Sequence, residues 1–288
     1  MNGRIISRLL GNLLFALALT MGLCLPVAYY YGESDAGVAL ATSMACTCLV
    51  GSLFFMWGRS NERTVYRRDA LAVVGFGWLL VGFFGSLPYY FGNTFPDYVD
   101  SYFEAVSGFT TTGATVLTDI EIIPQSLLFW RMTTHWLGGM GIIVLFVAIF
   151  PQIGVGAKQL FRTEVPGPMT EGLRPKIKET ALALWKIYAL MTVSAALLFM
   201  LFGMHPFDAV CHAFSTLATG GYSTKNASIG YFDSWALDAI TTLFMLLAGV
   251  NFTLYFLLLK GRFNALWKNG ELRVYLTITL VVSLCVAF

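Results

Sequence analysis

Apolar stretches of roughly 20 residues, separated by short polar clusters, recur along the chain. That spacing suits a bilayer hydrocarbon core about 30 Å thick, crossed by helices rising about 1.5 Å per residue. The chain reads as a polytopic, all-α membrane protein. Spanning helices are expected at residues 9–31, 36–57, 70–90, 127–150, 180–202 and 234–259, with another beginning near Val274. Composition agrees, since 57% of the 288 residues are hydrophobic and only 12% are charged, where soluble domains carry about 25%. Arg4 and Arg8 precede the first apolar run, but the run lacks a small-residue cleavage site and is too long for a signal-peptide core. It reads as a retained helix. The net charge of +2, with no basic run interleaved with aromatics, excludes nucleic acid as a partner and leaves membrane lipid as the expected surroundings. Cys24, Cys46, Cys48, Cys211 and Cys285 lie in or beside apolar stretches without metal-ligand spacing, and read as small buried hydrophobes.

The connections alternate in charge. Arg59, Arg63, Arg67 and Arg68 fill one, Lys158, Arg162, Arg174, Lys176 and Lys178 the next on that side, and Lys260, Arg262, Lys268 and Arg273 the last. With Arg4, Arg8 and Lys186, every Lys and Arg except Arg131 and Lys225 falls on one side. By the positive-inside rule that side is cytoplasmic and the N-terminus is inside. The opposite side collects Glu33, Asp35, Asp97, Asp100, Glu104, Asp119, Glu121, Asp208 and Asp233. These acids either raise the local cation concentration or form an ordinary solvated rim.

Two outer connections, residues 91–126 and 203–233, are too long and too structured for plain loops. Each has a Pro, about a dozen moderately apolar residues, a Thr/Gly cluster and a polar return. Twelve helical residues reach only about 18 Å, so such a segment dips into the bilayer and comes back. Non-helical backbone at that depth is tolerated only where it is buried in protein or lines a watery cavity. The two clusters belong to a repeat. Setting Gly113 over Gly220, an offset of 107, places Thr111-Thr112-Gly113-Ala114 over Ala218-Thr219-Gly220-Gly221. The unit of helix, half-helix, Thr/Gly turn and helix thus occurs twice, with both copies starting inside. The expected organisation is an N-terminal helix pair with its inside loop at 1–68, a first pore repeat at 69–157, a cytoplasmic loop at 158–178, a second pore repeat at 179–260, and a loop with the first helix of a third repeat at 261–288.

A turn of this composition suits a cation. Backbone carbonyls replace a water shell without a net charge that would trap the ion. Aiming successive carbonyls at one axis takes the chain through conformations that a Cβ penalises by about 1–2 kcal/mol per residue, which Gly avoids. Thr hydroxyls extend the column, and the carbonyl end of the half-helix brings roughly half a negative charge.

On these residues the chain resembles a known family. Phe103-Glu104-Ala105-Val106-Ser107-Gly108-Phe109-Thr110-Thr111-Thr112-Gly113-Ala114-Thr115 is similar to the first pore loop of the Trk/Ktr/HKT superfamily of potassium transporters, and within it of the bacterial Trk-type uptake proteins. His135-Trp136-Leu137-Gly138-Gly139-Met140-Gly141, Glu164-Val165-Pro166-Gly167-Pro168 and residues 215–223, similar to the second pore loop, extend the likeness over essentially the whole chain. The resemblance implies potassium uptake across the bacterial inner membrane, four repeats around one pore, a homodimer, and gating by a cytosolic nucleotide-binding regulatory subunit. Residue by residue it makes Thr111, Thr112, Gly113, Ala218, Thr219 and Gly220 the ion-lining set, with Ala114 and Gly221 as the outermost layer. Potassium is then substrate, and no cofactor is expected. Two repeats offer only half a filter. Completion is expected from a continuation of the same chain or from a second copy, the former favoured because residues 271–288 read as the opening of a third repeat.

Other features have plainer readings. Gly138, Gly139 and Gly141 suit close packing of helices. His135, His205 and His212 show no metal-ligand spacing and read as structural or interfacial. Gly154-Val155-Gly156 lacks the third glycine and preceding strand of a nucleotide fingerprint. Arg131 is expected to pair with Asp119 or Glu121 or to snorkel, and Glu104 to accept bonds from neighbouring backbone or hydroxyl groups. The loop 152–179, basic and turned by Pro166-Gly167-Pro168, either contacts a cytosolic partner or only satisfies the positive-inside rule. Two other function classes fit less well. A carrier of another cation or solute, sodium- or proton-coupled, usually shows inverted repeats, and a membrane-embedded enzyme needs converging carboxylates, a metal motif or a nucleophile with its base.

Overall fold

The computed structural model describes residues 2–59, 67–141 and 177–287, which contain helices and no strand. The first hairpin shows how helices approach closely in a membrane. α1 (Gly3–Gly22) starts at Asn2, whose side chain accepts from the Arg4 and Ile5 N–H groups. Pro26 starts α2 (Leu25–Tyr31), and the two together form one span of 29 residues. Gly32, at φ 70°, ends α2 and lets the chain reverse into α3 (Ser34–Trp57). A Cβ on Gly11 would stand 2.8 Å from both the Gly51 carbonyl oxygen and the Phe55 nitrogen. Only a missing side chain lets α1 and α3 approach that closely, the usual device where no hydrophobic effect drives helices together.

The first pore unit follows with α4 (Arg67–Gly85), α5 (Leu87–Phe91), α6 (Tyr98–Phe109) and α7 (Gln125–Gly139). α4 and α5 are broken at Ser86, ahead of Pro88, and run together as a span. The Trp130 indole N–H on α7 donates to the Gly85 carbonyl at 3.0 Å, where the break frees an acceptor. The second unit has α8 (Ile177–Leu201), α9 (Pro206–Leu217), a 3-10 turn (Ser228–Phe232), α10 (Trp235–Ala248) and α11 (Phe252–Leu259). Then come α12 (Asn264–Lys268) and α13 (Gly270–Ala287).

Gly3–Tyr31, Ser34–Trp57, Arg68–Phe91 and Ala181–Leu201 are each long and apolar enough to cross a membrane. One expected span is corrected. Residues 234–259 form not one helix but the pair α10 and α11, bent by 86° at residues 249–251. The Asn251 side chain accepts from Thr253 N–H and so caps a new helix instead of continuing the old one. The Tyr255 and Tyr275 hydroxyls donate to the carbonyls of Leu247 and Leu246 at the end of α10. Of the expected span 127–150, the described part ends with α7, and Gly141 turns away at φ 65°. The later part of that span, the Gly154-Val155-Gly156 stretch, the Pro166-Gly167-Pro168 turn and the inside loop as far as residue 176 lie outside the described residues. The cysteines divide: Cys24 and Cys211 are buried as expected, whereas Cys46 and Cys285 are exposed on the outside of their helices.

The N-terminal pair is fastened to the first pore unit by one side chain. Glu33, in the turn between α2 and α3, accepts from the N–H groups of Gln125 (2.6 Å) and Ser126 (2.9 Å) and from the Ser126 hydroxyl (2.6 Å). The N-cap position of α7 is Pro124, which has no side-chain acceptor, so a carboxylate from another element satisfies the open N–H groups and meets the positive end of the helix dipole. Replacing Glu33 by Ala should lower stability by about 0.5–2 kcal/mol, read as a lower thermal midpoint of the detergent-purified protein.

Candidate functional site

The two half-helices α6 and α9 are 12 residues each, too short to cross. Each has a carboxylate in its first turn, Asp100 or Asp208, where the dipole is positive. They also end alike. After Phe109 the N–H groups of Thr110, Thr111 and Thr112 donate to the carbonyls of Val106, Gly108 and Ser107. After Leu217 those of Ala218, Thr219 and Gly220 donate to Phe214, Thr216 and Ser215. Thr111 and Gly113 take φ of 54° and 76°, and Thr219 and Gly221 take 55° and 88°. Further on, Leu117 N–H donates to the Thr115 hydroxyl (3.1 Å) as Lys225 N–H donates to the Ser223 hydroxyl (3.0 Å).

All of these pairs stand 108 residues apart, so the expected offset of 107 is corrected by one. Gly113 corresponds to Gly221, Thr112 to Gly220, Thr111 to Thr219 and Thr110 to Ala218. The missing hydroxyl of Ala218 therefore faces Thr110, and Thr111 has its counterpart in Thr219. Sequence carries a signal for this register: Asp100 and Asp208, Ala105 and Ala213, Ser107 and Ser215, Thr111 and Thr219, and Gly113 and Gly221 are identical pairs at that spacing. The double glycine at 220 and 221 obscures it, because either residue can be set against Gly113.

The two turns face each other. A Cβ on Gly113 would run into the carbonyl oxygen of Gly220. On its other side Gly220 abuts the His135 imidazole, whose Cγ would lie 2.8 Å from an added Cβ. Among the described residues, no hydrogen bond reaches the carbonyl oxygens of Thr111, Thr112, Gly113, Thr219, Gly220 or Gly221. Ala114 departs from the expected lining set. Its carbonyl accepts from the Ser107 hydroxyl at 2.5 Å and lies 3.2 Å from the Tyr222 hydroxyl, so protein donors already occupy it. Ala218 is 2% exposed, packed against the position a Gly139 Cβ would take. A Cβ on Gly138 would likewise strike the Phe109 carbonyl. The glycines of α7 are packing positions, and they let one helix lie against the ends of both half-helices.

Behind the turns is a buried polar cluster. Glu104 and Arg131 are 0% and 1% exposed and meet at 2.6 Å, Nε to Oε1. The Thr115 hydroxyl lies 2.9 and 3.0 Å from the two Glu104 carboxylate oxygens, and Val116 N–H donates to Oε2 at 3.2 Å. Arg131 Nη1 donates to the Ser223 carbonyl at 3.4 Å. Tyr222 packs on both α7 side chains, with the Arg131 guanidinium carbon 3.3 Å from its ring centre and His135 stacked at 3.8 Å. In the second unit His212 bonds the Asp208 carbonyl (2.8 Å) and the Ser223 hydroxyl (3.0 Å), and Thr224 donates to the Asp208 carboxylate at 2.6 Å. At the outer end Asn226 ties the units together, accepting from Ile120 N–H (2.8 Å) and donating to Asp119 (2.8 Å) and Glu121 (3.1 Å).

Residues 37–277 match the family described as TrkH, cation transport protein. The chain belongs to this family. It is 41% identical over 290 residues to the Trk system potassium uptake protein TrkH of Salmonella typhimurium, covering 99% of this chain and 60% of that protein. It is 33% identical over 288 residues to the Trk system potassium uptake protein TrkG of Escherichia coli, covering 99% and 59%. Among solved structures it is similar to the crystal structure of the potassium transporter TrkH from Vibrio parahaemolyticus, with a TM-score of 0.83 and 39% identity over 99% of this chain and 58% of that one. The chain thus spans about 60% of the length of the curated relatives it matches. It is a multi-pass helical membrane protein of the TrkH family.

In this TrkH-family chain the expected partner of Arg131 is corrected. Arg131 pairs with Glu104, while Asp119 and Glu121 serve Asn226. The carboxylate on α6 and the cation on α7 are 27 residues apart in sequence, and only the dip of the half-helix brings them to one depth. Glu104 does accept hydroxyl and backbone bonds as expected. Ser107, His135 and Tyr222 were not expected at the site, although each lies within or beside a motif that was. Replacing Arg131 by Met should cost roughly 3–5 kcal/mol by stranding a buried carboxylate, seen as a sharply lower thermal midpoint in detergent. The double variant Glu104→Gln, Arg131→Met should regain a large part of that loss, since no unpaired charge remains.

Proposed function

We propose that this chain carries potassium into the cell and that its two Thr/Gly turns form half of a selectivity filter. The supporting observation is the pair of facing turns whose carbonyl oxygens at Thr111, Thr112, Gly113, Thr219, Gly220 and Gly221 accept nothing from the described protein. Backbone N–H groups there are turned inward to Val106, Ser107, Gly108, Phe214, Ser215 and Thr216, which leaves the oxygens for an ion. The carbonyl ends of α6 and α9 add negative potential at the same place. A neutral, oxygen-lined cage suits a monovalent ion that must leave again, and the relatives named above are potassium uptake proteins.

A ring of oxygens around one ion needs more than two turns. The filter is completed by two further repeats, on a continuation of the chain or on a second copy. The apolar residues Val274, Ile278 and Val281 on one side of α13 and Leu276 and Leu280 on the other are all exposed, which suits a helix surrounded by lipid or by further helices. The proposed setting is the bacterial inner membrane, with the N-terminus in the cytoplasm on the side where the basic residues gather. A homodimer and a cytosolic nucleotide-binding regulatory subunit, docking on the basic inside loop, complete the proposed system.

Uptake of potassium, rubidium and sodium, measured side by side in cells expressing the complete assembly, tests the assignment. Potassium should be preferred over sodium. Gly113→Ala combines a strained positive φ with a collision on the Gly220 carbonyl, whereas Gly221→Ala meets open space and is strained only by its φ of 88°. Both should lower the potassium/sodium ratio, Gly113→Ala the more strongly, and strain of about 1–2 kcal/mol corresponds to roughly a five- to thirtyfold change. Unchanged discrimination in both variants would remove these turns from the filter.

A further inference from the structure

Tyr222 leaves the second turn but ends its side chain in the first unit. Its hydroxyl lies 3.2 Å from the Ala114 carbonyl, immediately after Gly113, and 3.2 Å from the Glu104 carbonyl on α6. Its ring has bodies at 3.3 Å and 3.8 Å from one centre, the Arg131 guanidinium and the His135 imidazole. Two groups at those distances fit only on opposite faces. Arg131 and His135 are one helical turn apart on α7, so Tyr222 is inserted between two rungs of a rigid helix. The guanidinium is itself fixed by Glu104, and the imidazole by Gly220 behind it. The ring has no rotamer freedom left with which to move its hydroxyl.

We infer that the Tyr222 hydroxyl is a positioning group for the first turn: it holds the Ala114 carbonyl turned away from the ion path and so fixes how the preceding Gly113 and Thr112 oxygens are aimed. The Gly113 and Ala114 carbonyls lie in peptide planes joined at the Ala114 Cα, so fixing the second plane narrows the φ and ψ through which the first can turn. Ala114 is the first peptide after Gly113, and its oxygen accepts from Ser107 of the first unit and shares with the Glu104 carbonyl the one hydroxyl proton of Tyr222 of the second. Ser107 alone would hold it to its own half-helix. Tyr222 makes the aim of the first turn depend on where the second turn stands, which gives neighbouring segments of the ring one common geometry. The inference rests on the filter reading above.

Tyr222→Phe removes the donor and keeps the ring between Arg131 and His135, whereas Tyr222→Leu removes both. In the complete transporter, with protein in the membrane quantified, Tyr222→Phe should reduce the potassium/sodium uptake ratio about 3- to 10-fold, the range of one net hydrogen bond. Tyr222→Leu should reduce it at least as far. A Phe variant with the wild-type ratio overturns the inference, including the case where only Leu loses selectivity, since packing and not the hydroxyl would then be what matters. Should the Phe variant fail to reach the membrane, Ser107→Ala frees the same carbonyl from its other donor and must lower the ratio in the same sense; a wild-type ratio there overturns the inference as well. A wild-type transporter without preference for potassium would instead overturn the filter reading on which this one stands.

Discussion

A carboxylate and a guanidinium shut away from water inside a bilayer are tolerable only in close contact and with their remaining hydrogen-bonding groups satisfied. Glu104 and Arg131 meet that condition, and the condition sets the geometry of everything near them. The carboxylate takes the Thr115 hydroxyl and the Val116 N–H, which fixes the return segment of the first unit. The guanidinium takes the Ser223 carbonyl and the face of Tyr222, which fixes the return segment of the second. Moving α6 relative to α7 would break the pair, and moving the second turn would take the Ser223 carbonyl and the Tyr222 ring away from Arg131. The cost of such a break is why the two turns stand at one depth and face each other.

Strain at the turns is supported by the same cluster. Thr111 and Thr219 hold positive φ despite their β-branched side chains, a conformation that costs about 1–3 kcal/mol each. Left alone, either turn would relax toward an ordinary helix end. What prevents this is the set of inward N–H bonds to Ser107 and Ser215 carbonyls together with the anchored residues that follow, 115–116 in one unit and 222–225 in the other. A backbone clamped on both sides of a strained pair presents its carbonyls in one direction and cannot close them on its own N–H groups.

Much of this was legible in the sequence, and the parts that were not have physical reasons. Hydrophobic length locates the spans well because bilayer thickness sets it, and the two half-helices stand out because 12 residues cannot cross. Length says nothing about a bend, however. The break at residues 249–251 depends on Asn251 capping α11 and on Tyr255 and Tyr275 reaching carbonyls at the end of α10, contacts made through folding alone. Register failed by one residue for a related reason: Gly220 and Gly221 are alike as letters, and only φ and the hydrogen bonds to Ser215 and Thr216 tell which one occupies the position of Gly113. Arg131 was assigned to acids near it in sequence. Burial makes it choose the acid with which it can leave water, and Glu104 is the one at its depth.

The two units solve one problem with different chemistry. At the corrected register Glu104 corresponds to His212 and Thr115 to Ser223, and each half-helix residue bonds the hydroxyl of its own return segment. Each of those hydroxyls in turn accepts an N–H two residues on. The first unit uses a charged residue and the second a neutral one, although the bond being made is the same. The difference follows from α7, which lies between the units. Arg131 reaches both, with Nε on Glu104 and Nη1 on the Ser223 carbonyl. One α7 cation therefore balances the Glu104 anion, and α7 carries no second Arg or Lys for a carboxylate at position 212. An imidazole there closes the second turn without adding charge to a low-dielectric site. The asymmetry of the repeat is thus the form that charge balance takes when two similar pore segments share one helix.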